Sequence, residues 1–304
     1  MSRLATTLLG IPLKTPVLAA SGTFAYGTEF KSLVDLSSIG GFVVKGLSRE
    51  PMNGNPPPRM FETHAGMINS IGLQNMGVAA FIRERLPELR EIGVPVFANA
   101  FGYAVEDYVE VVRQLEDAEG LAAYELNVSC PNTKHGGIYF SSDPSLLAEV
   151  VAAVRVVARR PILVKLSPNV ARIEPLARAA VDAGADGLSL INTFVALAID
   201  PHTRRPRLGA GFGGLSGPAI KPIALRMVYE AAQCVNVPVV GLGGIATGLD
   251  AAEFFIAGAS AVEVGTANFW DPQATARIAA ELDQFLEQEN ISNVRELVGS
   301  LKLH

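Results

Sequence analysis

Eight short apolar runs recur along the chain with helical stretches between them, and this alternation restricts the fold more than any other feature. They are PVLAA (16–20), GGFVVK (40–45), VPVFANA (94–100), AAYELNV (122–128), PILVKL (161–166), DGLSLIN (186–192), VPVVGLG (237–243) and SAVEVGT (260–266). Each is apolar enough to be buried on both faces, as the strands of a parallel sheet are. In the intervening VEDYVEVVRQLEDA (105–118), Val105, Tyr108, Val109, Val112 and Leu115 share one helical face. Asp143-Pro144 opens the next helix with a cap residue and a first-turn proline, and IEPLARAAVDAGAD runs into Gly184, a helix stop. GPAIKPIALRMVYEAAQ and GLDAAEFFIAGAS behave alike. Eight strands alternating with helices predict an α/β fold, a (β/α)8 TIM barrel forming a single domain over residues 1–304. The length suits a barrel of about 250 residues plus insertions. An open doubly wound sheet is the rival, disfavoured because no GxGxxG follows the first strand.

Three connections are longer than a barrel loop needs: 46–77, 129–142 and 193–217. All leave the C-terminal ends of strands, the rim that carries barrel active sites. Polar residues interrupt the strands mainly at those same ends: Ser21, Lys45, Asn99, Asn127, Lys165, Asn192 and Thr193. One such asparagine alone reads as a loop-capping amide. Amides and lysines on several strands read better as one convergent site. Gly243-Gly244 and Gly265-Thr266 end the last two strands, where backbone N–H groups can approach a phosphate with a helix N-terminus behind them. Tight strand-to-helix turns also need glycine, but the position favours phosphate. A phosphate-bearing cofactor with a polar planar head accounts for the lysines and asparagines together, although spacing alone leaves a Schiff-base lysine open.

Composition narrows the partners. A net charge of −5 gives no basic footprint for nucleic acid or an anionic membrane. The two cysteines, Cys130 and Cys234, lack a CxxC partner, so neither a disulfide framework nor a metal site is expected, and no iron–sulfur cluster can be ligated by this chain alone. No apolar run reaches about eighteen residues, and no cleavable leader is visible, so the protein is expected to be cytoplasmic. Cys130, in YELNVSCPNTKHGG (124–137), is either an inert buried thiol or a nucleophile or base. Its flanking asparagines and strand-end position favour the functional reading; for Cys234 the inert reading stands.

At this point the motifs resemble a known family, the class 1 dihydroorotate dehydrogenases, and within it the B subtype. The likeness runs in order through TPVLAASGTFAYG, GFVVKGLS, PPRMFETHAGMINSIGLQNMGV, NVSCPNTKHGG, VKLSPNV, GLSLINT, GGLSGPAIKP, VVGLGGIATGLDA and VEVGTANF, nearly the whole chain. The resemblance implies an FMN across the top of the barrel, held by Ser21, Lys45, Gly46, Asn99, Asn127, Lys165, Ile191, Gly217, Gly243, Gly244, Gly265 and Thr266. It implies dihydroorotate contacts at Lys45, Asn69, Ser70, Ile71, Gly72, Leu73, Asn127, Asn132, Asn192 and Thr193, and it puts Cys130 at the catalytic base. Gly136-Gly137 reads as the hinge of a lid carrying that thiol. The loop ETHAGMINSIGLQN looks like the B subtype. That subtype passes electrons to NAD+ through a partner subunit carrying FAD and a [2Fe-2S] cluster, with a homodimeric core in a heterotetramer. The A subtype, a fumarate-using homodimer, and the pyrimidine-reducing domain of dihydropyrimidine dehydrogenases are the nearest rivals. A non-catalytic barrel binding a phosphorylated metabolite is the more distant one.

Overall fold

The structure, a computed structural model, describes residues 2–128 and 137–303. Eight parallel strands close into a barrel: β1 (Val17–Ala19), β2 (Phe42–Val43), β3 (Val96–Ala100), β4 (Ala123–Asn127), β5 (Ile162–Leu166), β6 (Gly187–Leu190), β7 (Val239–Leu242) and β8 (Ala261–Val264). They are neighbours in chain order, and β8 closes against β1 through Val262↔Val17 and Val264↔Ala19. All eight expected strands are present, each trimmed by one to four residues.

Strand residues alternate between two environments, as a pleat requires. Val17, Ala19, Phe42, Val96, Ala98, Tyr124, Leu126, Ile162, Val164, Leu188, Val239 and Val262 face outward into the core shared with the helices. Leu18, Val43, Phe97, Ala123, Leu163, Val240 and Ala261 form a separate cluster inside the barrel. An N-terminal hairpin, Thr6–Leu8 with Ile11–Leu13, adds Leu8 and Leu13 to that inner cluster and so plugs the bottom. The barrel interior is therefore closed from below by apolar side chains.

The helix expected over 105–118 runs Val105–Glu116. Its buried stripe is Tyr108, Val111, Val112 and Leu115, whereas Val105 and Val109 are only partly buried. The face is rotated toward Val111 because the helix also packs against Pro144–Val157. Asp143 caps that second helix as expected, accepting from the amides of Ser145 and Leu146. Gly184 has φ +105, the left-handed turn that ends Glu174–Asp182.

Two of the long connections are not separate loops. Met60–Thr63 and Gly66–Asn69 from the first, and Phe194–Leu197 and Phe212–Ser216 from the third, form one four-stranded antiparallel sheet. The pairing Gly214↔Asn69 ties the segment after β2 to the segment after β6. The middle connection carries Cys130 and Asn132, and also Pro131, Lys134 and Gly136, all of which lie outside the described residues. Gly137 opens the helix Gly137–Ser142, so the expected Gly136-Gly137 hinge has a helix start at its second residue. Among the described residues no helix is long and apolar enough to cross a membrane.

Candidate active site

A cavity of about 460 Å3 opens at the C-terminal mouth of the barrel. It is lined by Ser21, Lys45, Gly46, Asn99, Asn127, Lys165, Ile191, Gly217, Gly243, Gly244, Gly265 and Thr266, every position expected to contact a flavin. Asn69, Ile71, Gly72, Leu73, Asn192 and Thr193 line it too. Ser70 does not. It is fully buried, because successive residues of the strand Gly66–Asn69 and its continuation point to opposite faces. Ser70 engages through its backbone instead: its N–H donates to Arg59 O at 2.7 Å and its carbonyl accepts from Asn55 Nδ2 at 3.1 Å. Cys130 and Asn132 fall outside the described residues, and His64 is an exposed turn residue away from the lining.

The period of two explains why the polar groups converge. Asn99, Asn127, Lys165 and Ser189 sit at inward positions one or two steps above the apolar inner cluster. Asn127 Oδ1 accepts from Asn192 Nδ2 at 3.2 Å, and Asn192 Oδ1 accepts from the Thr193 amide at 2.8 Å. This chain fixes the orientation of both side-chain amides. Asn99 Nδ2 donates to Glu125 Oε1 at 2.7 Å, whereas its buried Oδ1 has no partner among the described residues. A buried acceptor in that condition is costly unless a ligand donates to it.

Beneath the floor lies a charge cluster that strand patterns did not announce. Lys165 Nζ stands 3.3 Å from Glu125 Oε1 and 3.5 Å from Glu263 Oε2. Glu125 also accepts from Ser189 Oγ at 2.9 Å. Burial works against the Lys165 charge, but the two carboxylates outweigh it and hold its pKa above the ordinary lysine value. Burial pushes Glu263 up, to about 8, with Glu125 adding to the rise and Lys165 opposing it. The available signal was one acid in each of two apolar strands, YELN and VEVG, at inward positions. Lys45 is partly buried and has no carboxylate within ion-pairing distance among the described residues; burial, then the charge of Arg59, lowers its pKa against the pull of Glu29.

The glycines divide into two kinds. Gly217, Gly243 and Gly244 have φ of +92, +124 and +83, so the turns themselves demand glycine. A Cβ on Gly244 would also meet Gly217 O at 2.8 Å. Gly265 differs: its φ is not left-handed, and a Cβ there would meet only Ala20 Cβ at 3.7 Å and Thr23 Cγ2 at 3.8 Å. The fold has room for a methyl group at this point of the cavity wall, so a cradle kept bare fits close approach by a ligand such as a phosphate. The expected helix N-terminus behind Gly243-Gly244 is present as Gly248–Ala257, but its leading amides are taken. Ala246 and Thr247 N–H donate to Asp250, and Gly248 N–H donates to Glu281. Anion contact is left to the glycine loops rather than to that helix.

The donor set thus fits a phosphate at the β7–β8 loops, a planar polar ring over Asn99 and Lys165, and a second small polar molecule among Asn69, Asn127 and Asn192. Comparison with known proteins gives the same direction. Residues 3–286 match the model of the dihydroorotate dehydrogenase family. A Solibacter usitatus protein provisionally named dihydroorotate dehydrogenase A (fumarate) is 72% identical over 99% of both chains. The Geobacter sulfurreducens dihydroorotate dehydrogenase B (NAD(+)) catalytic subunit is 52% identical over 99% of this chain and 98% of its own. Among solved structures, that of the Eimeria tenella enzyme with ferulenol superposes with a TM-score of 0.84 at 25% identity, covering 98% of this chain and 88% of the other.

Proposed function

The chain belongs to the dihydroorotate dehydrogenase family, and from that premise we propose that it oxidises (S)-dihydroorotate to orotate in pyrimidine (UMP) biosynthesis, using FMN bound in the barrel mouth. The observation that carries the reading is the single cavity wall in which all the expected flavin positions meet Asn69, Asn127, Asn192 and Thr193. When bound, FMN supplies the two-electron acceptor for the hydride leaving C6 of the substrate. Lys165 supplies a fixed cation at the ring, and Asn99 offers its unpartnered Oδ1 to a ring N–H. Asn127 and Asn192, already locked to each other, hold the pyrimidine in plane. Lys45 with Asn69, Ile71, Gly72 and Leu73 meets the substrate at the rim, joined by Asn132, and Cys130 accepts the C5 proton.

The electron acceptor is proposed as NAD+, reached through a partner subunit carrying FAD and a [2Fe-2S] cluster around a homodimeric core, as the B-subtype names of the relatives at about half identity support. The 72% relative supports the fumarate alternative. Purified protein is expected to be yellow and to bleach anaerobically with dihydroorotate. An acceptor panel of NAD+, fumarate and quinone, with and without a co-purified partner, separates the subtypes; fumarate turnover by the isolated chain would reassign it to A.

Gly265→Ala separates a phosphate cradle from a plain turn. The variant is expected to fold with unchanged or slightly raised stability, by up to about 1 kcal/mol, because alanine restricts the unfolded chain. Its FMN affinity is expected to fall by roughly five- to 150-fold, the equivalent of about 1–3 kcal/mol of overpacking. Titration of stripped protein with FMN reads this, and wild-type affinity would leave Gly265 as a turn residue only.

A further inference from the structure

The buried cluster under the cavity has one more acid than base. Glu125 on β4 is a diagonal neighbour of Lys165 on β5, whose register partner is Asn127, while Glu263 reaches Lys165 from β8 on the other side of the barrel. All three are almost wholly buried. With every group ionised, the cluster would hold a net negative charge in a dry interior, which is costly. The two acids are not equivalent. Glu125 accepts from Asn99 Nδ2, Ser189 Oγ and Lys165 Nζ. Neither oxygen of Glu263 meets a hydrogen-bond partner in bonding geometry among the described residues; the groups facing it are the shared Lys165 ammonium and the Glu125 carboxyl, which opposes its charge. The strands beside Glu263 offer no further charge: its register partners are Leu242 on β7 and Leu18 on β1. Lys45, at the end of β2, is not within ion-pairing distance.

We propose that Glu263 is a positioning residue that holds a proton beneath the cavity, so that the charge Lys165 presents to a ligand is set by one exchangeable proton as well as by the fixed pair with Glu125. The proton comes from solvent and stays on the carboxyl while the cluster is neutral. An anionic group arriving against Lys165 from the cavity side competes with Glu263 for the ammonium and tightens the hold on that proton. A neutral occupant does not. The inference rests on the flavin reading only for the identity of the anionic group, which would be the reduced ring.

Infrared difference spectroscopy on the full chain tests the proton directly, with or without FMN. Wild-type protein is expected to show a protonated carboxyl C=O band at neutral pH that titrates away through the alkaline range. Glu263→Gln, an isostere of the protonated side chain, should lack the band. Glu125→Gln should lack it too, because Glu263 then becomes the sole counterion of Lys165 and ionises. A second readout is proton uptake on dithionite reduction of the FMN-loaded chain, which needs no turnover. Near the pH where Glu263 titrates, wild type should take up as much as one proton more per flavin than Glu263→Gln. Absence of the band from wild type at neutral pH, its persistence in Glu263→Gln, or equal proton uptake by both proteins across the alkaline range would overturn the proposal. Failure to bind FMN would instead count against the flavin reading, since the infrared band is read without it.

Discussion

Cys130→Ala is expected to slow reduction of the bound flavin by dihydroorotate by about 10²–10⁴-fold, the usual worth of a positioned general base, with FMN content unchanged. The reaction removes a proton from C5 and a hydride from C6, so a base must stand on the substrate face opposite the flavin, within about 3 Å of C5. Among the described residues the lining offers amides, hydroxyls and lysine side chains, but no carboxylate or imidazole to take the proton. Cys130 follows β4 by three residues in sequence, after Asn127 in the cavity wall. An ordinary thiol ionises near pH 8.5, so a few per cent is thiolate at neutral pH. Anaerobic stopped-flow reduction should therefore speed up as pH rises and level off once the thiol is ionised. Cys130→Ser keeps the shape and loses most of the basicity, and should fall between wild type and alanine. Wild-type reduction rates in the alanine variant would remove Cys130 from the mechanism.

The barrel and most of its rim were legible because both follow from local patterns. A strand buried on two faces is a short apolar run, and a rim residue is a polar interruption at its C-terminal end. Asn99, Asn127 and Lys165 obey that rule and line the cavity. What pattern reading missed depends on closure. Glu125 and Glu263 are more than a hundred residues apart, and each looks like an isolated fault in an apolar strand until the barrel brings both to Lys165. The sheet built from two insertions has the same origin, since Asn69 and Gly214 pair only after both loops cross the mouth. The N-terminal hairpin is too short to announce itself by periodicity, yet it seals the bottom through Leu8 and Leu13. Ser70 falls within the contiguous stretch that the resemblance implies for the substrate, but alternation turns its side chain away from the cavity.

Lys165→Met is expected to destabilise the fold by about 3–5 kcal/mol, the cost of leaving a buried carboxylate without its cation. That is a large fraction of a typical total of about 5–15 kcal/mol. Methionine fills most of the volume, so lost packing contributes little, and the effect is electrostatic. Glu263 can take a proton, but Glu125 keeps only the neutral donors Asn99 and Ser189. Glu263, already raised by burial, then loses the one cation that opposes the rise, so its folded-state pKa stands further above the unfolded one. Such a group binds its proton more tightly in the folded protein, so the variant's stability should be highest in acid and fall as pH rises past the ordinary carboxylate range, toward the region of about 8 already reached by Glu263 in the wild type. Adding Glu125→Gln removes the stranded charge while keeping the side-chain size. The double variant should recover more than about 1 kcal/mol relative to Lys165→Met, a coupling that independent sites do not show. FMN retention is not expected to recover with it, because the cation proposed to face the ring is still missing. Denaturant titrations of the two variants at acid and neutral pH, alongside flavin content, separate these effects. A Lys165→Met protein as stable as wild type, or one that Glu125→Gln fails to rescue, would mean the buried cluster does not carry the charge assigned to it.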